Sequence, residues 1–241
     1  MLQEGQSKER KMKYNNYISV AIDGPSGAGK STQAKRIAEA FGFIYADTGA
    51  IYRSLGLACH RQNVNCKDES AVMDVLRDIS IELKYNAEGE QRMYLSGEDV
   101  SAEIRLPEIS ICASDVSAHA KVREFLLKMQ RDIADRNNVV MDGRDIGTVV
   151  LPEADIKIFL TASAEARAKR RLLELQAKGI ESDFESVLED MKYRDAQDSS
   201  RAAAPLKPAE DAVIVDTTDL DFEASFEVLF VLITGVIKEN S

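Results

Sequence analysis

The sequence is poor in the residues on which several catalytic chemistries depend. Its 241 residues include two histidines, three cysteines and no tryptophan. The cysteines are odd in number and lack the spacing of a metal or redox site, so we interpret them as buried or half-exposed thiols. Neither His60 nor His119 stands beside a plausible nucleophile or ligand set in the sequence. A mechanism that depends on histidine is therefore disfavoured.

Long apolar runs and an excess of positive charge are also missing. No stretch approaches the roughly 18 apolar residues that span a bilayer, and the polar start has no apolar centre of a signal peptide. Lysine and arginine number 31 against 41 acidic residues, a formal charge of -10. Nucleic acids and anionic membranes repel such a surface. We expect a cytoplasmic protein that binds neither nucleic acids nor membranes. Any phosphate-binding site must be a local feature of this otherwise acidic protein.

The length and composition fit one domain with an insertion. Apolar residues make up 44% of the chain and charged residues 30%, as in average soluble globular proteins. Residues 1–16 are polar and have no apolar periodicity, which predicts a frayed extension before a domain over residues 17–241.

Short apolar runs alternate with helical patterns after this extension. The runs YISVAID, FIYAD, NVVMD, ADIKIFLTA and AVIVDTT are rich in β-branched residues, and helical patterns separate most of them. This order is typical of an α/β protein with a parallel sheet, here of five strands, flanked by helices. Two alternating segments within residues 79–105 flank a turn, which predicts a small antiparallel insertion.

The most informative motif follows the first strand. The segment GPSGAGKS has the P-loop pattern of glycine, four residues, glycine, lysine and serine, in the required place between a strand and a helix. Such a loop wraps a phosphate with backbone N–H groups, its lysine reaches the terminal phosphates, and its hydroxyl binds Mg²⁺. The alternative is a glycine-rich turn that does not bind phosphate. We expect Lys30 to be exposed, and we expect contacts with ATP from Gly24, Pro25, Ser26, Gly27, Ala28, Gly29, Lys30, Ser31 and Thr32.

A P-loop indicates a nucleoside triphosphate but leaves open a GTPase switch, an ATPase motor and a small-molecule kinase. The asparagine-lysine-x-aspartate signature of GTPases is absent from the sequence, and there is no second large domain for a motor. Arginines recur at the ends of predicted strands and on two predicted helices. This distribution favours an enzyme with two phosphorylated substrates.

Two predicted strand ends carry charged residues suited to phosphate and metal. Arg53 lies on the first turns of the helix that follows Thr48, where it can grip a substrate phosphate, unless it is a plain surface arginine. The strand VVMD delivers Asp142 to its carboxyl end, where α/β sheets bind ligands, and Arg144 and Asp145 follow at once. Asp142 resembles a Walker B carboxylate that acts on Mg²⁺ through water, with Ser31 as the direct ligand. A solvated turn is the alternative for this segment.

Two predicted helices carry charged faces. Arg167, Arg170 and Arg171 share one face of the first helix, and Arg194, Asp198 and Arg201 share one face of the second. Solvated faces with internal ion pairs are the plainer interpretation. Because a P-loop is present, we favour a lid that closes over the migrating phosphoryl group and excludes water.

The segments GPSGAGKST, DTGAIYR, GEDVSAEIR, DGRDIGTVVLP and RDAQDSSRAAAPL together resemble the bacterial cytidylate kinase family, in order and over nearly the whole chain. The resemblance implies the nucleoside monophosphate kinase fold of P-loop proteins. That fold has a five-stranded parallel sheet, a small β-rich insertion on the monophosphate side, here residues 79–105, and a helical lid at about residues 163–201.

The resemblance also implies roles for single residues. Monophosphate contacts are expected from Thr48, Arg53 and Arg144. Cytosine contacts are expected from Ser114, Arg123 and Asp145, which suit an amino donor and two acceptors on the base. Contacts near the sugar, base or phosphates are expected from Arg194, Asp198 and Arg201. Lid contacts with ATP are expected from Arg170 and Arg171, and the catalytic charges from Lys30, Arg144 and Arg194.

The sequence thus predicts a monomeric enzyme that transfers the γ-phosphoryl group of ATP to CMP or dCMP with Mg²⁺ and without a covalent intermediate. Another small acceptor, such as AMP, UMP or shikimate, is the first alternative. A nucleotide-gated binding module that hydrolyses ATP slowly is the second.

Overall fold

The core of the protein is a five-stranded sheet in which every neighbouring pair is parallel. The structure, a computed structural model, describes residues 17–177 and 179–239, so the predicted extension at residues 1–16 lies outside the described residues. Numbered in chain order, the strands of this sheet are β1 (Ser19–Asp23), β2 (Ile44–Asp47), β6 (Val139–Gly143), β7 (Ile156–Thr161) and β8 (Val213–Asp216). Their order across the sheet is β2-β6-β1-β7-β8. The predicted five-stranded parallel sheet is confirmed.

Helices cover both faces of this sheet. They are α1 (Lys30–Phe41), α2 (Thr48–Arg61), α3 (Glu69–Asp78), α4 (Pro107–Ser117), α5 (Ala120–Ala134), α6 (Ala164–Ala177), α7 (Phe184–Ser200) and α8 (Phe222–Glu239). Helix α3 was not predicted from the sequence. Its start is fixed by Asp68, whose carboxylate accepts from the backbone N–H groups of Ser70 and Ala71.

The predicted antiparallel insertion is also present. It is a three-stranded sheet of β3 (Ile81–Tyr85), β4 (Gln91–Leu95) and β5 (Glu98–Asp99). Its apolar face, with Ile81, Met93 and Leu95, joins the same buried cluster as Ile51 and Leu55 of α2. The insertion is therefore packed on the helix that follows β2.

Alternate residues of the central strands supply two apolar clusters. On one face Ile22 and Leu160 pack in a cluster with Ile37 of α1 and Leu229 of α8. On the other face Ala21 and Met141 pack with Ile146. As predicted, the three thiols are free, two of them buried and the third half-buried. No helix among residues 17–177 and 179–239 is both long and apolar enough to cross a bilayer.

Helices α6 and α7 pack on each other through a small cluster of their own, which includes Ala168, Leu175, Val187 and Met191. They occupy most of the predicted lid region. The sheet itself ends in acidic residues, since Asp23, Asp47 and Asp142 lie at the carboxyl ends of β1, β2 and β6. Parallel strands bring these ends to one edge, and the candidate site lies there.

Candidate active site

A cavity of about 390 Å³ opens at the carboxyl edge of the sheet. The P-loop forms one side, the start of α2 and helices α4 and α5 form another, and α6 and α7 contribute the third. Most of the residues predicted from the sequence line this single cavity, although they come from segments up to 175 positions apart, from Ser26 to Arg201. This size suits small ligands.

The P-loop depends on glycine at three positions with positive φ. Gly24 has φ 147°, and a β-carbon there would lie 1.9 Å from the carbonyl oxygen of Leu160, so only glycine fits. Gly27 and Gly29 have φ 75° and 86°, and Gly29 immediately precedes α1. The backbone thereby turns from β1 into the helix N-terminus. Ser26, Gly27, Gly29, Ser31 and Thr32 line the cavity, whereas Gly24, Pro25 and Ala28 shape the loop without lining it.

The lysine of the P-loop lines the cavity but is buried, so the expectation of an exposed Lys30 was wrong. Only 5% of the residue is exposed, and Nζ donates to the carbonyl oxygen of Pro25 at 2.7 Å. Burial and the nearby charge of Arg144 lower the pKa of Lys30. The lysine is enclosed because the cavity walls from distant segments surround it, which the local motif does not reveal.

Three oxygen-bearing side chains meet beside the P-loop. Ser31 Oγ donates to Asp142 Oδ2 at 2.9 Å, and the hydroxyl of Tyr45 donates to Asp142 Oδ1 at 2.9 Å. Burial and the carboxylate of Asp47 raise the pKa of Asp142. The sequence analysis assigned Ser31 and Asp142 to the same Mg²⁺ ion but gave no role to Tyr45. Hard oxygen donors in this number fit Mg²⁺, which keeps several of its waters and takes few protein ligands.

The turn from β2 into α2 presents a hydroxyl and an arginine. Thr48 Oγ1 donates to the carbonyl oxygen of Asp142 at 2.9 Å. Asp47 caps α2, since Oδ1 accepts from the N–H of Ala50 at 3.0 Å and Oδ2 accepts from Arg53 Nη2 at 2.6 Å. Arg53 Nε is buried and has no hydrogen-bond partner among the described residues. An unsatisfied buried donor at a cavity indicates a ligand that accepts from it.

A buried ion pair forms part of the cavity wall. Arg123 donates from Nη2 to Asp145, and both residues are at least nine-tenths buried. Arg123 also donates from Nη1 to the carbonyl oxygen of Ser117 at 3.0 Å, and its guanidinium lies 5.3 Å from the ring centre of Tyr52. Ser114 lines the same cavity. All three residues expected to read a base therefore line one cavity.

A second charged group links the segment after β6 to α7. Arg144 Nε donates to Asp198 Oδ2 at 2.7 Å, and Arg201 donates to the other carboxylate oxygen of Asp198. Although burial opposes it, the two guanidinium groups hold the pKa of Asp198 below its usual value. Arg194 lines the cavity one turn away, and burial lowers its pKa.

The arginines of α6 separate into three environments. Arg171 lines the cavity and pairs with Glu174 at 3.0 Å. Arg170 does not line it, because its guanidinium donates to the carbonyl oxygens of Thr217 and Leu220 beyond β8. The expected contact of Arg170 with ATP therefore has no support in its position. Arg167 anchors α6 to the P-loop through the carbonyl oxygen of Ser26 at 3.0 Å.

Sequence reasoning missed the role of Asp23, at the end of β1. Its two carboxylate oxygens accept from the N–H groups of Ile146 and Gly147, each at 2.7 Å. Burial is the main reason that the pKa of Asp23 is raised to about 6. Since Arg144 and Asp145 directly precede this segment, Asp23 fixes their backbone relative to the P-loop. The sequence cue that could have identified Asp23 is its position directly before GPSGAGK.

The sequence matches proteins of one family over most of its length. A model of the cytidylate kinase family matches residues 20–234. A cytidylate kinase of Caldicellulosiruptor bescii is 48% identical over 223 residues, which are 92% of this chain and 98% of that protein. A cytidylate kinase of Caldanaerobacter subterraneus subsp. tengcongensis is 52% identical over 216 residues, 90% of this chain and 94% of that one.

Solved structures add a more distant likeness. A shikimate kinase from Bacteroides thetaiotaomicron superposes with a TM-score of 0.44 at 13% identity, covering 92% of this chain and 98% of that one. A shikimate kinase from Acinetobacter baumannii gives a TM-score of 0.41 at 15% identity, covering 95% and 97%. Likeness at this level identifies no substrate.

Proposed function

The chain belongs to the cytidylate kinase family, and we infer that it transfers the γ-phosphoryl group of ATP to CMP and dCMP, giving ADP and CDP or dCDP. The observation that carries this inference is the single cavity that joins a P-loop to two further sets of arginines and aspartates. One set suits a second phosphate, and the other suits a base. A hydrolase that acts as a switch needs neither.

The donor side is the P-loop. The backbone around Gly27 and Gly29 and the N-terminus of α1 supply N–H groups and positive potential for the phosphates of ATP. Lys30 leaves the carbonyl oxygen of Pro25 and adds its charge to the terminal phosphates. A bound triphosphate restores the protonated form of this lysine, because opposite charge raises a pKa that burial has lowered.

Ser31 and Asp142 are the residues that would hold the metal. Ser31 Oγ is the direct ligand for Mg²⁺ in this proposal, and the carboxylate of Asp142 holds one of the waters of the ion. Tyr45 keeps that carboxylate in place from the other side. When bound, the ion neutralises developing charge on the phosphoryl oxygens.

The acceptor phosphate meets Thr48, Arg53 and Arg144. Arg53 is held at 2.6 Å by Asp47, and its free Nε provides a donor for a phosphate oxygen. Arg144 lines the same cavity and adds a second guanidinium on the acceptor side. Transfer then depends on bringing the acceptor oxygen into line with the γ-phosphorus, with positive charge around the migrating group.

Base recognition rests on complementary hydrogen bonding. Cytosine offers an amino donor at N4 and acceptors at N3 and O2. Asp145 and Ser114 accept from the amino group, and Arg123 donates to the acceptors. The Arg123–Asp145 pair of the free protein is thus exchanged in part for bonds to the base.

The lid helices supply the remaining charge. We assign Arg194 to the transferred phosphoryl group, Asp198 and Arg201 to the acceptor nucleotide, and Arg171 to ATP. Their support is that all four line the cavity. Closure of α6 and α7 excludes water, which would otherwise compete as the acceptor. We also propose that the enzyme is a monomer of the cytoplasm.

The decisive experiment is ADP formation from ATP and Mg²⁺ with a panel of acceptors. CMP and dCMP are expected to be the best acceptors, ahead of UMP, AMP and shikimate, and the rate without any acceptor is expected to be negligible. Preference for another acceptor would reassign the substrate. Acceptor-independent hydrolysis alone would favour the switch.

A further inference from the structure

The outer edge of β2 is closed by side chains of the small sheet. Strand β2 is at the end of the five-stranded sheet and pairs with β6 on one side only. The N–H of Ile44 faces that side, donating to Asn138 at 2.8 Å. Because N–H and C=O groups alternate between the two sides of a strand, Tyr45 and Asp47 face the open edge. Edge strands leave such groups without a ladder partner.

Gln91 and Tyr85 provide the missing partners. Gln91 Oε1 accepts from the N–H of Asp47 at 2.7 Å, and Gln91 Nε2 donates to the carbonyl oxygen of the same residue at 3.3 Å. The Tyr85 hydroxyl donates to the carbonyl oxygen of Tyr45 at 2.9 Å. Tyr85 and Gln91 stand opposite each other on β3 and β4. A side-chain amide therefore takes the place of a neighbouring strand.

These bonds cross a gap rather than a packed interface. A cavity of about 260 Å³ lies beside them, between α1, β2 and the small sheet, and Tyr45, Asp47 and Gln91 are among its lining residues. On this side the backbone N–H and C=O groups of Asp47 both bond to the side chain of Gln91. A buried N–H that loses its acceptor is costly.

We propose that Gln91 is a positioning residue of the acceptor site, which acts by clamping the backbone of Asp47 and through it the guanidinium of Arg53. The carboxylate of Asp47 caps α2 and holds Arg53 Nη2 at 2.6 Å. A shift of the Asp47 backbone moves both contacts. The inference rests on the proposed function, because it assumes that Arg53 binds the phosphate of CMP.

The proposal predicts an effect on one substrate only. Without the clamp, Asp47 and Arg53 lose their fixed geometry, while the P-loop keeps its own contacts. Gln91→Leu, which has similar size and neither hydrogen bond, is expected to raise the KM for CMP about five- to tenfold and to leave the KM for ATP within about twofold. Gln91→Asn keeps an amide but is one methylene too short, and it is expected to act in the same direction.

A double-mutant cycle separates positioning from a general loss of structure. If Gln91 acts through Arg53, Gln91→Leu is expected to change the KM for CMP by less than about twofold in an Arg53→Ala background. Lys84→Gln is the matched control, since Lys84 is exposed on the same small sheet and pairs with Glu82. The thermal midpoints of all variants are measured alongside.

The outcomes distinguish this inference from the proposed function. A parent protein that does not phosphorylate CMP overturns both. If the parent protein phosphorylates CMP but Gln91→Leu and Gln91→Asn leave the KM for CMP unchanged, only the positioning role of Gln91 is overturned. An equal rise in the KM for CMP on Gln91→Leu in the parent and in the Arg53→Ala background also overturns this role, since Gln91 would then not act through Arg53. If Gln91→Leu does not fold, Gln91→Asn decides between these results.

Discussion

Arg144 Nε donates to Asp198 Oδ2 at 2.7 Å, and this ion pair joins the segment after β6 to helix α7. Asp198 is 4% exposed and also bonds Arg201, so one buried carboxylate holds two guanidinium groups at the cavity. Under the proposed function, a phosphate that enters the cavity is expected to compete with Asp198 for both of them. Binding of the acceptor is then expected to be coupled to the position of α7 through this carboxylate.

The first prediction concerns the arginines of the acceptor side. Arg53→Ala and Arg144→Ala are each expected to raise the KM for CMP about 10- to 100-fold, because each removes charge-assisted hydrogen bonds to a phosphate. The KM for ATP is expected to change by less than about threefold. Steady-state kinetics with each substrate varied in turn measures both constants.

A matched control comes from the same helix as Arg53. Arg61 lies at the end of α2 and pairs with Glu98 and Glu103 outside the cavity. Arg61→Ala is expected to leave both KM values unchanged. If Arg53→Ala and Arg144→Ala raise the KM for ATP as much as the KM for CMP, the two arginines belong to the donor side. The division of the cavity into donor and acceptor sides would then be wrong.

The second prediction concerns Lys30. Lys30→Met is expected to lower turnover at least about 100-fold, since no other group replaces its charge on the terminal phosphates. The fold is expected to survive, with a thermal midpoint no lower than that of the parent. Burial and the charge of Arg144 disfavour the protonated lysine, and an apolar chain of similar length removes that cost.

Far-UV circular dichroism on heating and ADP formation test both parts of this prediction. Lys128→Met is the control, because Lys128 is exposed on α5 and pairs only with Asp132 among its described ion pairs. Retention of more than about a tenth of the parent activity by Lys30→Met would remove the lysine from catalysis. Loss of the fold would instead show that the ammonium group is structural.

The core strands were easier to predict from the sequence than the segments that join the strands and helices. The five core strands were predictable because each is a short β-branched run before a loop. The π-helical turn at Ile146–Val150 was not, since it begins where two N–H groups bond to Asp23, more than 120 positions earlier. Helix α2, by contrast, begins at Thr48 because the adjacent Asp47 caps it, which is a local effect.

The same distinction holds for the candidate site. The P-loop is a local motif, so its residues were found without the fold. Arg170 and Arg171 are adjacent on α6, and helical phase alone did not show that the first bonds the segment after β8 while the second lines the cavity. The clamp between Gln91 and Asp47 depends on how the small sheet meets β2, which no local pattern encodes.

The third prediction is a dependence of stability on pH. Burial raises the pKa of Asp23 from 3.8 to about 6 in the folded protein. The folded state then holds this proton more tightly than the unfolded state, so the contribution of Asp23 to stability is complete below pH 3.8 and is lost as pH rises through 6. The side chain introduced by Asp23→Asn stays neutral, so its contribution to stability does not change over this pH range.

The free energy of unfolding of the parent minus that of Asp23→Asn is therefore expected to fall by up to about 3 kcal/mol between pH 4 and pH 7. Urea unfolding of both proteins at each pH measures it, and groups common to both cancel in the difference. A difference that stays constant or grows with pH would show that the buried carboxyl is not protonated in this range.

The last prediction concerns the choice of base, and it follows from the Arg123–Asp145 pair. Uracil replaces the amino group at position 4 by an oxygen and carries a proton on N3, so Asp145 would face an acceptor and Arg123 a donor. Unpaired polar groups in a buried site discriminate by factors on the order of 10² to 10⁵. CMP is therefore expected to exceed UMP clearly in kcat/KM.

Asp145→Ala is expected to narrow that preference by harming CMP more than UMP, but it also leaves Arg123 buried without its carboxylate, which destabilises the fold by about 3–5 kcal/mol. Asp145→Asn lessens this cost without removing it, because the amide has the same shape and its carbonyl oxygen still accepts from Arg123 although the negative charge is lost. Its N–H donor suits the oxygen of uracil. We expect the ratio of kcat/KM for CMP to that for UMP to fall at least about tenfold in Asp145→Asn, with the thermal midpoint measured in parallel. A ratio equal to that of the parent in a folded variant would exclude Asp145 from base recognition, and Ser114 and Arg123 would then have to account for the preference.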